Sequence, residues 1–107
     1  MLGWIYLISA ILFEVAGTTA MKMSDGFSKT IPSFAMAIFY ILSLSALTFA
    51  LKKFDVSMAY AIWSGVGTAL ITVIGFYYFK EEITLLKIVS ISFIILGVVG
   101  LHLSTKS

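Results

Sequence analysis

The chain contains no cysteine and no arginine, a single proline (Pro32) and a single histidine (His102), and only 11% of it is charged. Without cysteine there are no disulfides and no thiolate metal centres. Without arginine, lysine is the only fixed cation. A net charge of +2 dispersed over 107 residues is too weak a field for nucleic-acid binding. The shortage of charge is the most restrictive absence. Soluble domains are about 25% charged and about 45–50% apolar, whereas this chain is 61% hydrophobic. One soluble core in so short a chain would leave much of that apolar surface in water. The solvent that fits is a lipid bilayer.

Four long apolar runs take up most of the chain. A spanning helix needs about 20 mostly apolar residues, and runs of that order occupy 4–21, 31–51, 56–79 and 85–103. Pro32 suits the first turn of the second run, where its missing N–H would be unpaired in any case. Short polar connections at 22–30, 52–55 and 80–84 force consecutive helices to lie antiparallel. The expected fold is an all-α membrane protein, with four transmembrane helices forming a single domain over 1–107. The first run does not read as a cleaved signal peptide. It lacks a basic leader, carries Glu14 inside its apolar stretch, and is followed by three further apolar runs.

Lysine placement normally sets orientation, with basic loops left in the cytoplasm. With four spans, Lys52, Lys53 and Lys106 share one side, while Lys22, Lys29, Lys80 and Lys87 share the other. Three against four is almost no bias. Either other features orient the chain, or it inserts both ways and pairs antiparallel; the balance favours the second. Four helices alone also leave little room for a solute path, so a chain that moves solute is better served by a dimer. On the fourth run, Ser90, Gly97 and Gly100 offer small residues for close helix approach, although glycine is also common in membrane helices generally.

Glu14 sits in the middle of the first run, where it is the only charged residue. A carboxylate at that depth costs about 2.5–3.5 kcal/mol on insertion scales, and such groups usually serve a proton, an ion or a substrate. Around it on the same helix face lie Leu7, Ala10, Ile11, Gly17, Thr18 and Met21. Small neighbours leave space for a bulky guest, and Thr18 offers a hydroxyl one turn away. Apolar surroundings penalise the charged form of a carboxyl, so Glu14 can hold a proton until a cation replaces it. The alternative is a structural acid, protonated and bonded to a neighbouring helix.

Tyr60 and Trp63, three apart on the third run, supply aromatic faces for a flat or quaternary cation. Tyr60 would also fit as an interfacial anchor. Tyr40 and Ser43, three apart on the second run, either line the same cavity or pack between helices. Gly65 and Gly67 read as a bend in the third helix. His102, near the end of the fourth run, reads as a solvated side chain. No nucleophile–base pair or metal cluster is visible, so the chain does not read as an enzyme.

These residues resemble a known family. The run Glu14-Val-Ala-Gly-Thr-Thr-Ala-Met-Lys22, the loop Ser24-Asp-Gly-Phe27 before Pro32, and Ala59-Tyr-Ala-Ile-Trp-Ser-Gly-Val-Gly67 are similar to the small multidrug resistance family, and the likeness covers essentially the whole chain. The resemblance implies a multi-pass protein of the bacterial inner membrane, working as an antiparallel, dual-topology homodimer. It implies exchange of protons for organic cations by alternating access, with no cofactor. It implies that Glu14 serves both proton and substrate, that Tyr60 and Trp63 line the cavity, and that Gly65 and Gly67 mark the bend. Ser90 and Gly97 match the dimer-forming part of the fourth helix, serine at 90 departing from the usual glycine. Gly17, where the guanidinium-exporting branch carries tryptophan, points to the quaternary-ammonium branch. Export of guanidinium, polyamine or choline-like cations is the alternative, as is an accessory role in a heteromeric transporter.

Overall fold

The computed structural model describes residues 2–104. Lys106, counted above among the lysines of one side, lies outside the described residues. Four α-helices follow in order: α1 (Leu2–Met23), α2 (Thr30–Ala50), α3 (Val56–Tyr77) and α4 (Leu85–Ser104). At about 1.5 Å per residue each is about 30–33 Å long, which matches the hydrocarbon core of a bilayer. Each is long and apolar enough to cross a membrane. The chain divides into two compact units, 1–54 and 55–107.

In the first unit α1 packs on α2. Its buried residues Gly3, Leu7, Ala10, Ile11, Val15, Gly17 and Ala20 are spaced so that they form one stripe of the helix. Two features set the register of the pair. The Ser43 hydroxyl, 1% exposed, donates to the Ala10 carbonyl at 2.7 Å. Gly17 admits the Tyr40 ring: a Cβ there would stand 2.9 Å from two of its carbons. Stacked rings complete the seam, Tyr6 on Phe49 at 5.3 Å and Phe13 on Phe39 at 6.3 Å. α1 continues past Met21 to Met23, which brings Lys22 into its last turn. A cation is favourable there, against the negative end of the helix dipole.

The turn into α2 is built on Ser24, which is 1% exposed. Its hydroxyl donates to the Met21 carbonyl at 2.7 Å and accepts the Phe27 N–H at 3.2 Å. Asp25, Gly26 and Phe27 all take positive φ, 50°, 68° and 68°. For Asp25 and Phe27 that left-handed backbone costs about 1 kcal/mol or more, and the Ser24 bonds hold it in place.

In the second unit α3 approaches α4 most closely at Gly65. A Cβ there would fall 2.6 Å from Val98 Cγ2 and 3.3 Å from Ile94 Cγ2. α3 ends at Tyr77, short of the apolar run, which continues to Phe79. The Phe79 N–H bonds back to the Ile74 carbonyl at 3.4 Å, and Lys80 turns left-handed at φ 61°. Gly75 carries no side chain, which leaves room for the Glu81 carboxylate. Thr84 caps α4 by accepting the Lys87 N–H at 3.1 Å. None of the described residues of α4 is buried.

Candidate cation site

Glu14 falls in the arc of α1 that carries Leu7, Ala10 and Gly17, yet it is only half-buried. Its Oε2 accepts the Thr18 hydroxyl at 2.7 Å. Thr18 Oγ1 also lies 2.7 Å from the Tyr40 hydroxyl on α2. A threonine hydroxyl has one hydrogen, so with that hydrogen on Glu14, Tyr40 is the donor to Thr18. The three side chains form a directed chain from α2 to the carboxylate. The helical repeat places Thr18 one turn from Glu14, and the Gly17–Tyr40 contact brings α2 close enough to join them.

Such a chain stabilises the ionised carboxylate through a charge-assisted bond. Protonation at Oε2 would reverse it, with Glu14 donating to Thr18 and Thr18 to Tyr40. Both states of the acid are therefore served without moving the helices. The room expected at Gly17 is taken up by the Tyr40 ring and the Phe39 Cβ of α2, and Ala10 is fully buried. Ser43 also joins the two helices, its hydrogen donated to the α1 backbone.

Tyr60 and Trp63 form a tilted pair on α3, with ring centroids 5.5 Å apart. Tyr60 is 60% exposed, so its ring face is open to a guest. Trp63 Nε1 is buried with no hydrogen-bond partner among the described residues. A dry unpaired donor costs about 1–3 kcal/mol, and it is suited to an incoming acceptor. Gly65 and Gly67 are both buried within an unbroken α3. Gly65 has a packing role against α4 that the expectation of a bend did not include. On α4, Ser90 is exposed and the Cα of Gly97 has open space before it.

Phe39 escaped the sequence reading. Its Cβ lies 3.4 Å from where a Gly17 Cβ would be, and its ring stacks on Phe13. Only its place beside Tyr40 could have pointed to it. A cavity of about 490 Å³ is lined by Leu2, Gly3, Trp4, Lys53 and Phe54. It lies about 15 Å along α1 from Glu14 at 1.5 Å per residue and takes no part in this cluster. Among the described residues no group of acids and His102 could hold a metal ion.

The family profile described as Small Multidrug Resistance protein matches residues 2–94. The chain is 55% identical to the Uncharacterized membrane protein YvaE of Bacillus subtilis, over 95% of this chain and 86% of that one. It is 42% identical to the Multidrug resistance protein EbrB of Bacillus subtilis, over 97% of this chain and 89% of the relative. It is 43% identical to the Quaternary ammonium compound-resistance protein QacC of Staphylococcus aureus, over 94% of each.

Proposed function

The chain belongs to the small multidrug resistance family, and on that premise we propose that it exports lipophilic and quaternary ammonium cations in exchange for protons. It is a multi-pass membrane transporter rather than an enzyme. In this reading the membrane is the bacterial inner membrane, and the working unit is an antiparallel, dual-topology homodimer that alternates access between the two sides.

The observation that carries the reading is the mid-span Glu14 carboxylate, held by Thr18 and Tyr40. The deprotonated acid binds the cation through charge attraction. Tyr60 and Trp63 are the proposed aromatic faces for the cation. A proton arriving from the far side reverses the hydroxyl chain, neutralises Glu14 and releases the cation. Proton and cation compete for one group, so the two cannot be carried together. Ser90 and Gly97, on the outward side of α4, are where the second copy would approach, and Gly65 and Gly67 would serve the conformational exchange.

Proton-coupled uptake of a quaternary ammonium compound into vesicles tests this. Wild type should accumulate the cation under a pH gradient, and Glu14→Gln should abolish accumulation. Uptake that survives the substitution would refute the shared site. A panel in which guanidinium alone is carried would instead move the chain to the other branch.

A further inference from the structure

The seam between α1 and α2 has two unlike flanks. At about 100° per residue, Gly17 lies on the buried stripe of α1 with Glu14 and Thr18 to one side of it and Phe13 to the other. On α2 the buried Ser43 marks the seam, with Tyr40 to one side and Phe39 to the other. The polar flank carries the hydroxyl chain, Tyr40 on Thr18 at 2.7 Å and Thr18 on Glu14 at 2.7 Å. The other flank is aromatic. There the Phe13 and Phe39 rings are stacked, with centroids 6.3 Å apart and planes 26° from parallel.

Phe39 and Tyr40 are consecutive residues on opposite flanks, so a roll of α2 about its axis that carries one ring into the seam carries the other out of it. The middle of the seam offers little to resist such a roll. Gly17 has no side chain, and it receives both neighbours: a Cβ there would stand 2.9 Å from the Tyr40 ring and 3.4 Å from the Phe39 Cβ. The Ser43 hydroxyl, donated to the Ala10 carbonyl at 2.7 Å, fixes one distance rather than an angle. The roll is therefore set at the flanks. On the polar side a single hydroxyl–hydroxyl contact sets it, and such a bond weakens steeply with distance and misalignment. On the aromatic side two large rings set it.

We propose that Phe13 and Phe39 are positioning residues for the Glu14 site, their stack fixing the roll of α2 against α1 and so keeping the Tyr40 hydroxyl on Thr18. Neither ring needs to touch the cation. The proposal rests on the reading of Glu14 as the carboxylate that takes the cation, and adds a control on how firmly that carboxylate is held. An aliphatic side chain in place of either ring stays apolar but removes the stacked plane, and the roll relaxes.

Phe13→Leu and Phe39→Leu test this in the full chain, singly and each combined with Tyr40→Phe, which keeps the ring in its seat at Gly17 and removes only the hydroxyl. Phe39→Met, with the same expectation, serves as a second substitution at that site. Two quantities are read on the detergent-solubilised protein at fixed pH: the dissociation constant for tetraphenylphosphonium, and the ring Cζ resonance of Tyr40, identified by NMR as the one lost in Tyr40→Phe. Each single variant at 13 or 39 should weaken cation binding about threefold to tenfold, the factor carried by one neutral hydrogen bond, and should shift the Tyr40 resonance. Tyr40→Phe should weaken binding by a similar factor. In that background neither leucine should weaken it further, because the hydroxyl through which the rings act is gone. Additive losses would overturn the proposal, since the rings would then contribute in their own right. So would an unmoved Tyr40 resonance in the variants at 13 and 39, or unchanged binding in Tyr40→Phe. The resonance reports the roll whether or not a cation binds. An unmoved resonance beside intact binding would sink the stack alone, whereas a shifted resonance in a protein that binds no tetraphenylphosphonium would sink the cation reading and leave the stack standing.

Discussion

A carboxylate in hydrocarbon is expensive only while its charge is unmatched, and Glu14 is supplied with partners in both of its states. Thr18 is the pivotal one, because its hydroxyl is hydrogen-bonded to both Glu14 and Tyr40. Thr18→Val keeps the shape and removes the donor. A hydrogen bond to a charged group contributes about 1.5–3 kcal/mol, less for one that is only partly buried. In the proposed exchange, losing it should weaken binding of a quaternary ammonium ion several-fold at fixed pH, and unchanged binding would remove Thr18 from that proposal. Glu14 and Thr18 could be read from the sequence because a charge stands out in an apolar run and positions four apart share a face. The Thr18–Tyr40 contact could not, since it depends on how α1 is rotated against α2. The same rotation brings the Ser43 hydroxyl to the Ala10 carbonyl.

Helices were legible here because each apolar run is about as long as a bilayer is thick, and polar connections separate them. Their ends were less so. α3 stops at Tyr77 because Lys80 turns left-handed and Glu81 folds back beside Gly75, neither of which hydropathy encodes. The glycines of α3 show the same limit. A glycine pair announces that side chains are unwelcome, but it does not distinguish a bend from a close approach. At Gly65 the answer lies with Val98, far along the chain. Gly65→Ala should lower the thermal midpoint of the detergent-solubilised protein, with an overpacking cost of about 1–3 kcal/mol. Gly97→Ala meets nothing in its own chain. It should leave that midpoint close to wild type at high dilution and weaken only self-association, measured by concentration-dependent cross-linking.

At the scale of the whole molecule, orientation is governed by a near tie. Replacing Lys52 and Lys53 with glutamine leaves Lys106 alone against Lys22, Lys29, Lys80 and Lys87. That bias should fix one orientation, with the 24–29 and 78–84 connections in the cytoplasm. Reporters fused to the carboxyl terminus should then be active on the outer side only, whereas the proposed dual topology expects wild type to show activity on both. Transport should fall with it and return when an oppositely biased variant is co-expressed. Retained transport from a strictly single-orientation chain would exclude the antiparallel pair. The lysine tie was visible in the sequence. The proposed second copy was expected from the same sequence, and the structure offers it an exposed Ser90 and open space before Gly97.

On α3 the Ser64, Thr68 and Thr72 hydroxyls each donate to the carbonyl four residues back, and this bears on how the protein is made. A serine or threonine that has already satisfied its own donor enters the bilayer at little cost, so the insertion machinery scarcely registers it. Selection can therefore add or remove such groups along this helix without endangering its biogenesis.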